Sequence, residues 1–133
     1  MKQLFLCLGL ALCLCVHAQL SLAQTTPEIA KGNCKSCAEI CQQTVDYCNK
    51  KRGKYGEDSL TNSLKDCLNA CKMTEDFLVR GSKLSSSSAA LCVKACQECA
   101  KSCDKFPNDA QMAKCANECR KSAGNLSKVK NGE

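Results

Sequence analysis

Between residues 92 and 103 the chain reads Cys92-Val-Lys-Ala-Cys96-Gln-Glu-Cys99-Ala-Lys-Ser-Cys103. At the 100° per residue of an α-helix these four thiols fall within about 60° of arc, one stripe three turns long. Cys34, Cys37, Cys41 and Cys48 share a second arc of about 60°. Cys67/Cys71 and Cys115/Cys119 are i,i+4 pairs, each facing one way on its helix. Thiols therefore stand where Leu and Ile stand in an ordinary amphipathic helix. A chain with this pattern must turn sulfur inward, and that requirement selects an all-α fold with a cysteine-lined core.

Breaks in the pattern divide the chain into four helical segments. The first runs from Pro27 or Asn33 to Arg52, with Thr26 as cap and Pro27 at the first helical position, and Gly32 weakening its start. The stretch from Gly53 to Gly56 interrupts it. The second segment starts at Asp58 or Ser59 and ends at Arg80-Gly81, a basic last turn followed by a glycine stop. Its face carries Leu60, Leu64, Cys67, Cys71 and Leu78. The serine run Ser85 to Ser88 reads as a loop whose last serine caps a third helix from Ser88 to Lys105. After Pro107, Asn108 with Gln111 three residues on forms a capping box for a fourth helix ending at Ala123-Gly124. Residues 125–133 read as a polar tail. Four helices joined by short loops predict an antiparallel up-down-up-down four-helix bundle over residues 24–124. The Cys34 to Cys48 and Cys92 to Cys103 segments are alike, and each precedes a CxxxC helix. The bundle therefore reads as two helical hairpins of one design, with the first and third helices on a diagonal.

The N-terminus reads as a signal peptide over residues 1–23. Lys2 precedes an apolar run from Leu4 to Val16, and Ser21-Leu22-Ala23 supplies small residues for cleavage. The run is short for a bilayer span, so the mature chain is expected to be exported, to the periplasm or the medium, with no membrane anchor after cleavage. About 110 residues remain, enough for one small domain. Three of the fifteen cysteines leave with the leader. The remaining twelve make about 11% of the mature chain, the level of a cysteine-built scaffold. Large apolar side chains are too few for a conventional core: there is no Trp, and the mature Phe residues are Phe77 and Phe106. Sulfur must fill that core, link it or bind something in it.

Composition also excludes. The single histidine, His17, lies in the leader, so His-containing zinc sites and Cys–His nucleophiles are ruled out of the mature chain. Nucleic-acid binding would call for a basic patch with stacking rings. Here the basic residues are spread along helices and aromatics are scarce. No paired carboxylates or other catalytic constellation is present. Met112, one turn before Cys115, reads as packing.

Two uses of the twelve thiols compete. An even number of cysteines in an exported chain favours a disulfide framework. Yet i,i+4 Cβ atoms lie about 5–6 Å apart, beyond the about 3.5–4.5 Å of a disulfide. Bridges would have to cross between helices, and helices 2 and 4 offer only four partners for the eight thiols of helices 1 and 3. A metal ion bridging sulfurs suits the same spacing, and soft thiolates select Cu(I), Zn(II) or iron–sulfur clusters. Zn(II) on four thiolates leaves two negative charges in a core that lacks inward Lys or Arg, at high cost. One Cu(I) replacing one thiol proton leaves the charge unchanged. Iron–sulfur motifs sit in loops, whereas Cys34-x2-Cys37-x3-Cys41 is helical.

The Cys92 to Cys103 run resembles the repeat of the bacterial four-helix-bundle copper storage proteins, a C-x3-C-x2-C-Ala-x2-C helix followed by a CxxxC helix. Cys115-Ala-Asn-Glu-Cys119, the Cys34 to Cys48 segment and Cys67/Cys71 fit the same scheme, so the resemblance spans Cys34 to Cys119. It implies a bundle that holds multiple Cu(I) ions per chain on Cys34, Cys37, Cys41, Cys48, Cys67, Cys71, Cys92, Cys96, Cys99, Cys103, Cys115 and Cys119. It also implies association of bundles into homo-oligomers. It names neither a copper donor nor an acceptor. Helices 2 and 4 depart from the scheme in carrying two cysteines each. The alternative that stands beside it is a disulfide-stapled structural or interaction protein.

Overall fold

A computed structural model describes residues 26–129. The expected signal peptide, residues 1–23, lies outside the described residues. Four helices carry the chain: α1 Thr26–Lys51, α2 Asp58–Val79, α3 Ser85–Asp104 and α4 Ala110–Leu126, with a 3-10 turn at Gly53–Gly56 between α1 and α2. No strand occurs among the described residues.

Each helix packs on its neighbours in sequence, and α4 closes the ring against α1. The backbones of the diagonal pairs, α1 with α3 and α2 with α4, do not approach one another. That is the up-down-up-down bundle expected from the short loops. One end of it gathers the N-terminus of α1, the α2–α3 loop and the C-terminus of α4. The other, the turn end, gathers the 3-10 turn and the α3–α4 loop.

Local chemistry sets the helix limits. α2 stops in a Schellman arrangement: the Gly81 amide donates to the Leu78 carbonyl at 3.3 Å and the Ser82 amide to the Phe77 carbonyl at 2.9 Å. Gly81 has φ 60°, which glycine adopts without steric cost. The serine run differs from its sequence reading. α3 begins at Ser85, and its first turn is the serines themselves. Ser85 Oγ donates to the Phe77 and Ser82 carbonyls, fastening that turn to the end of α2. The α4 cap also shifts by one residue. Asp109, not Asn108, accepts from the Gln111 and Met112 amides, at 3.0 and 3.1 Å. Asp caps as well as Asn does, so backbone placement decides between the two. α4 runs two residues past Gly124, because Leu126 has a core position to fill and is 1% exposed.

Leu60, Leu64, Leu68 and Leu78 of α2, Ile40 and Val45 of α1, and Met112 and Leu126 of α4 form an aliphatic shell. Inside it, the bore is sulfur. Small polar groups close it with hydrogen bonds to backbone carbonyls. Thr74 Oγ1 donates to the Ser88 carbonyl at 3.1 Å, and Ser122 Oγ to the Asn33 carbonyl at 3.0 Å.

Candidate metal centre

All twelve cysteines of the sequence pattern are buried, each 0% or 1% exposed, and all are free thiols. Cys71 and Cys92, for example, have their sulfurs 3.4 Å apart, against about 2.05 Å for a disulfide. The helical stripes expected from spacing thus converge on one axis.

The centre of that axis is a layer to which each helix gives one thiol: Cys37, Cys67, Cys96 and Cys119. Cys37 Sγ lies 3.7 Å from Cys67, 3.9 Å from Cys96 and 3.8 Å from Cys119. Cys67 Sγ lies 3.6 Å from Cys96 and 3.8 Å from Cys119. Two of these contacts, Cys37–Cys96 and Cys67–Cys119, cross the diagonal. Backbone distance argues against bonds between diagonal helices, but cysteine side chains pointing straight into a narrow bore reach each other.

Three four-sulfur groups, each with all its sulfurs within 4.8 Å of one another, overlap along the axis. They are Cys37, Cys67, Cys71 and Cys96; then Cys37, Cys41, Cys67 and Cys119; then Cys41, Cys99, Cys115 and Cys119. A thiolate–metal bond of about 2.3 Å implies sulfur–sulfur edges of about 3.8 Å around a tetrahedron and slightly more around a triangle. The sulfur–sulfur contacts of the central layer already have that size. Eight of the twelve thiols belong to these groups. Cys34 and Cys92 extend the chain of sulfur toward the start of α1, with Cys92 Sγ 4.0 Å from Cys96. Cys48 and Cys103 extend it toward the turn end.

Hydrogen bonds link the thiols along the bore, and in most pairs either sulfur can donate. A hydrogen bond with Cys119 is the leading influence drawing both Cys37 and Cys67 below the ordinary thiol range. Cys115 is drawn down to about 5, with Cys103 its foremost partner. Cys103, with Cys115 as its foremost partner, is pushed up. Groups this strongly linked titrate as one assembly. Cys48 stands apart: burial first, then the charges of Cys115, Asp109 and Cys99, push it up to about 11. No Lys or Arg is buried among the described residues. The bore can therefore accept a cation that replaces a proton far more readily than a set of uncompensated thiolates.

Sequence reasoning missed the structure that closes the turn end. Asp109, 8% exposed, accepts from Tyr47 Oη at 2.5 Å and Tyr55 Oη at 2.8 Å, with Lys51 Nζ at 3.4 Å. Burial opposes its ionisation, but the hydrogen bonds from Tyr47, the Met112 amide, Tyr55 and Lys51 outweigh it and hold the carboxyl below the usual range. Tyr55 stacks on Phe106 at 4.7 Å and meets Tyr47 edge-on at 5.9 Å. Tyr47, Lys51 and Tyr55 stand 62, 58 and 54 positions before Asp109 in sequence, and no linear pattern joins them to it. The Pro-Asn-Asp cap cluster was the only signal.

Fold and centre together define a thiol-cored four-helix bundle, a scaffold whose bore is lined by twelve buried cysteines, eight of them in overlapping four-sulfur groups that could hold a metal. Family comparison agrees and is more specific. The copper storage protein family matches residues 23–131, and the chain belongs to that family. Searches of curated proteins and of solved structures each found no significant match. The family is one of storage proteins, not enzymes.

Proposed function

We propose that the chain stores Cu(I), many ions at a time, on the thiolates of its bore. The observation that carries this reading is the overlap of the three four-sulfur groups. Cys37, Cys41, Cys67 and Cys119 each belong to two of them, so filling one group prepares ligands for the next. Soft thiolates favour Cu(I), and each Cu(I) that displaces one proton keeps the core neutral. Zn(II) on four thiolates would leave a net double negative charge in a bore that has no buried Lys or Arg among the described residues. One ion per thiol sets a capacity of about twelve.

Support for export is the leader-like N-terminus, and the proposed setting is an exported, soluble store that shields the cell from copper or supplies copper enzymes. Mass spectrometry of exported protein beginning at Gln24 tests that part. The storage reading is tested by anaerobic Cu(I) titration of the reduced protein against a tight chromophoric chelator. Capture of about ten or more Cu(I) per chain is expected. Saturation at one or two refutes a filled bore, and saturation near one divalent ion per four sulfurs would identify a zinc–thiolate store instead.

A further inference from the structure

Copper is not the only cargo that the sulfur geometry suits. The central layer holds two closed triangles of sulfur. Cys37, Cys67 and Cys96 form one, with edges of 3.7, 3.9 and 3.6 Å. Cys37, Cys67 and Cys119 form the other, with edges of 3.7, 3.8 and 3.8 Å. The two share the Cys37–Cys67 edge, so one centre at a time can use it. All four thiols are free.

Charge decides what an isolated triangle holds. No Lys or Arg is buried among the described residues, so a guest that ends neutral is favoured over one that leaves charge behind. A monovalent ion on three thiolates leaves two negative charges, and a divalent ion leaves one. A trivalent centre leaves none. Among trivalent centres arsenic is thiophilic, takes three thiolates in a low pyramid, and carries a lone pair in place of a fourth ligand. Three bonds as long as a zinc–thiolate bond, about 2.3 Å, at about 100° to one another set sulfur–sulfur edges of about 3.5 Å. The edges of both triangles lie close to that.

Access sets a second condition, because every thiol of the layer is 0% exposed. No docked carrier reaches them; a guest has to cross the wall as a small solute during a transient opening. Arsenous acid, As(OH)3, is small and uncharged at neutral pH. An open groove of about 580 Å³ runs over the seam between α2 and α3, and the small side chains of Ser63, Ala70 and Ala95 are part of its lining. Cys67 and Cys96 belong to these two helices and lie 3.6 Å apart. Parting that seam uncovers two corners of a triangle without unwinding a helix.

We infer that the central layer binds trivalent arsenic, taken up as arsenous acid and held by Cys37, Cys67 and either Cys96 or Cys119 as a neutral tris-thiolate. The step balances without redox change. Three arsenic–sulfur bonds form, three arsenic–oxygen bonds break, and each departing hydroxyl leaves as water with one thiol proton. The inference requires free thiols in a folded bundle and stands independently of the copper reading.

The test uses the copper-free, reduced mature protein under anaerobic conditions, with sodium arsenite as the probe. X-ray absorption at one equivalent is expected to show three sulfurs and no oxygen on arsenic, and thiol titration a loss of three thiols per arsenic bound. The melting temperature should rise with arsenite, since the triangles exist only in the folded chain. Cys37→Ala opens both triangles and should weaken the first equivalent about a hundredfold, the order of a lost intramolecular attachment. Cys96→Ala and Cys119→Ala each leave one triangle closed and Cys34→Ala leaves both, so none of these should weaken it more than about twofold. Two sulfurs with a retained oxygen, no capture from excess arsenite, or an effect of Cys37→Ala no larger than that of Cys34→Ala overturns the inference. The sulfur count needs no variant and decides the matter if Cys37→Ala does not fold. Failure of the storage reading is separate: it appears as low Cu(I) capacity of the same preparation, whatever arsenite does.

Discussion

Replacing Asp109 tests whether the turn end is held by one buried carboxylate. Its oxygens accept from two phenols and two backbone amides. Loss of the cap costs about 1 kcal/mol, and each hydrogen bond to a charged acceptor about 1.5 kcal/mol. Lys51, 45% exposed and at 3.4 Å, is assigned nothing, as exposed pairs contribute little. Asp109→Ala should therefore cost about 4 kcal/mol. Asp109→Asn keeps a capping oxygen but not the charge, and should cost about 2 kcal/mol. At about 5 °C per kcal/mol for a domain of this length, the melting temperature should fall by about 20 °C and 10 °C. The sign with pH follows from the direction of the shift. The carboxyl titrates lower in the folded chain than in the unfolded one, so its contribution is complete above the unfolded value of about 3.9 and is lost as pH falls through the folded value. Circular dichroism melts of the copper-free, reduced protein from pH 7 down to pH 3 read both quantities. A cost for Asp109→Ala below about 1 kcal/mol at pH 7, or a gap between wild type and Asp109→Asn that widens in acid, would refute the reasoning.

Leu126→Ala should cost about 3 kcal/mol, as for a fully buried leucine, although the sequence places it in a tail; urea unfolding measures this, and a cost under 0.5 kcal/mol refutes the docking of that turn. Cys48 titrates at about 11 when folded, above an ordinary thiol, so it adds stability below about pH 8.5 that is lost as pH rises toward 11. Cys48→Ser should remove about 2 kcal/mol of that alkaline loss; identical pH profiles for the two proteins would count against it. Cys37→Ala removes a sulfur shared by two four-sulfur groups, and a Cu(I) titration should show capacity falling by about two ions, against about one for Cys34→Ala.

The bundle and its twelve inward thiols were legible because both are periodic. A helix of 3.6 residues per turn maps Cys92, Cys96, Cys99 and Cys103 onto one line without reference to any other segment, and Gly81 marks the end of α2 by its own conformational freedom. What sequence could not supply was distance across the bore. The diagonal contacts of Cys37 with Cys96 and Cys67 with Cys119 depend on how closely four helices approach, which small side chains such as Ala38, Ala100 and Ala116 permit. The serine run misled for a related reason. Serine favours caps in isolation, but hydrogen bonds from Ser85 to the end of α2 make helix the better state there. Asp109 escaped notice because its partners Tyr47 and Tyr55 become neighbours only when the ring of helices closes.

Antiparallel closure also makes the molecule polar along its long axis. α1 begins and α4 ends beside each other, as the Ser122 hydrogen bond to Asn33 records, while Cys48, Arg52 and the tyrosine–aspartate clasp lie at the far end. A chain fixed to a bead, a vesicle or a fusion partner through either terminus would stand upright on it, with the tyrosine–aspartate clasp at the end turned toward solution.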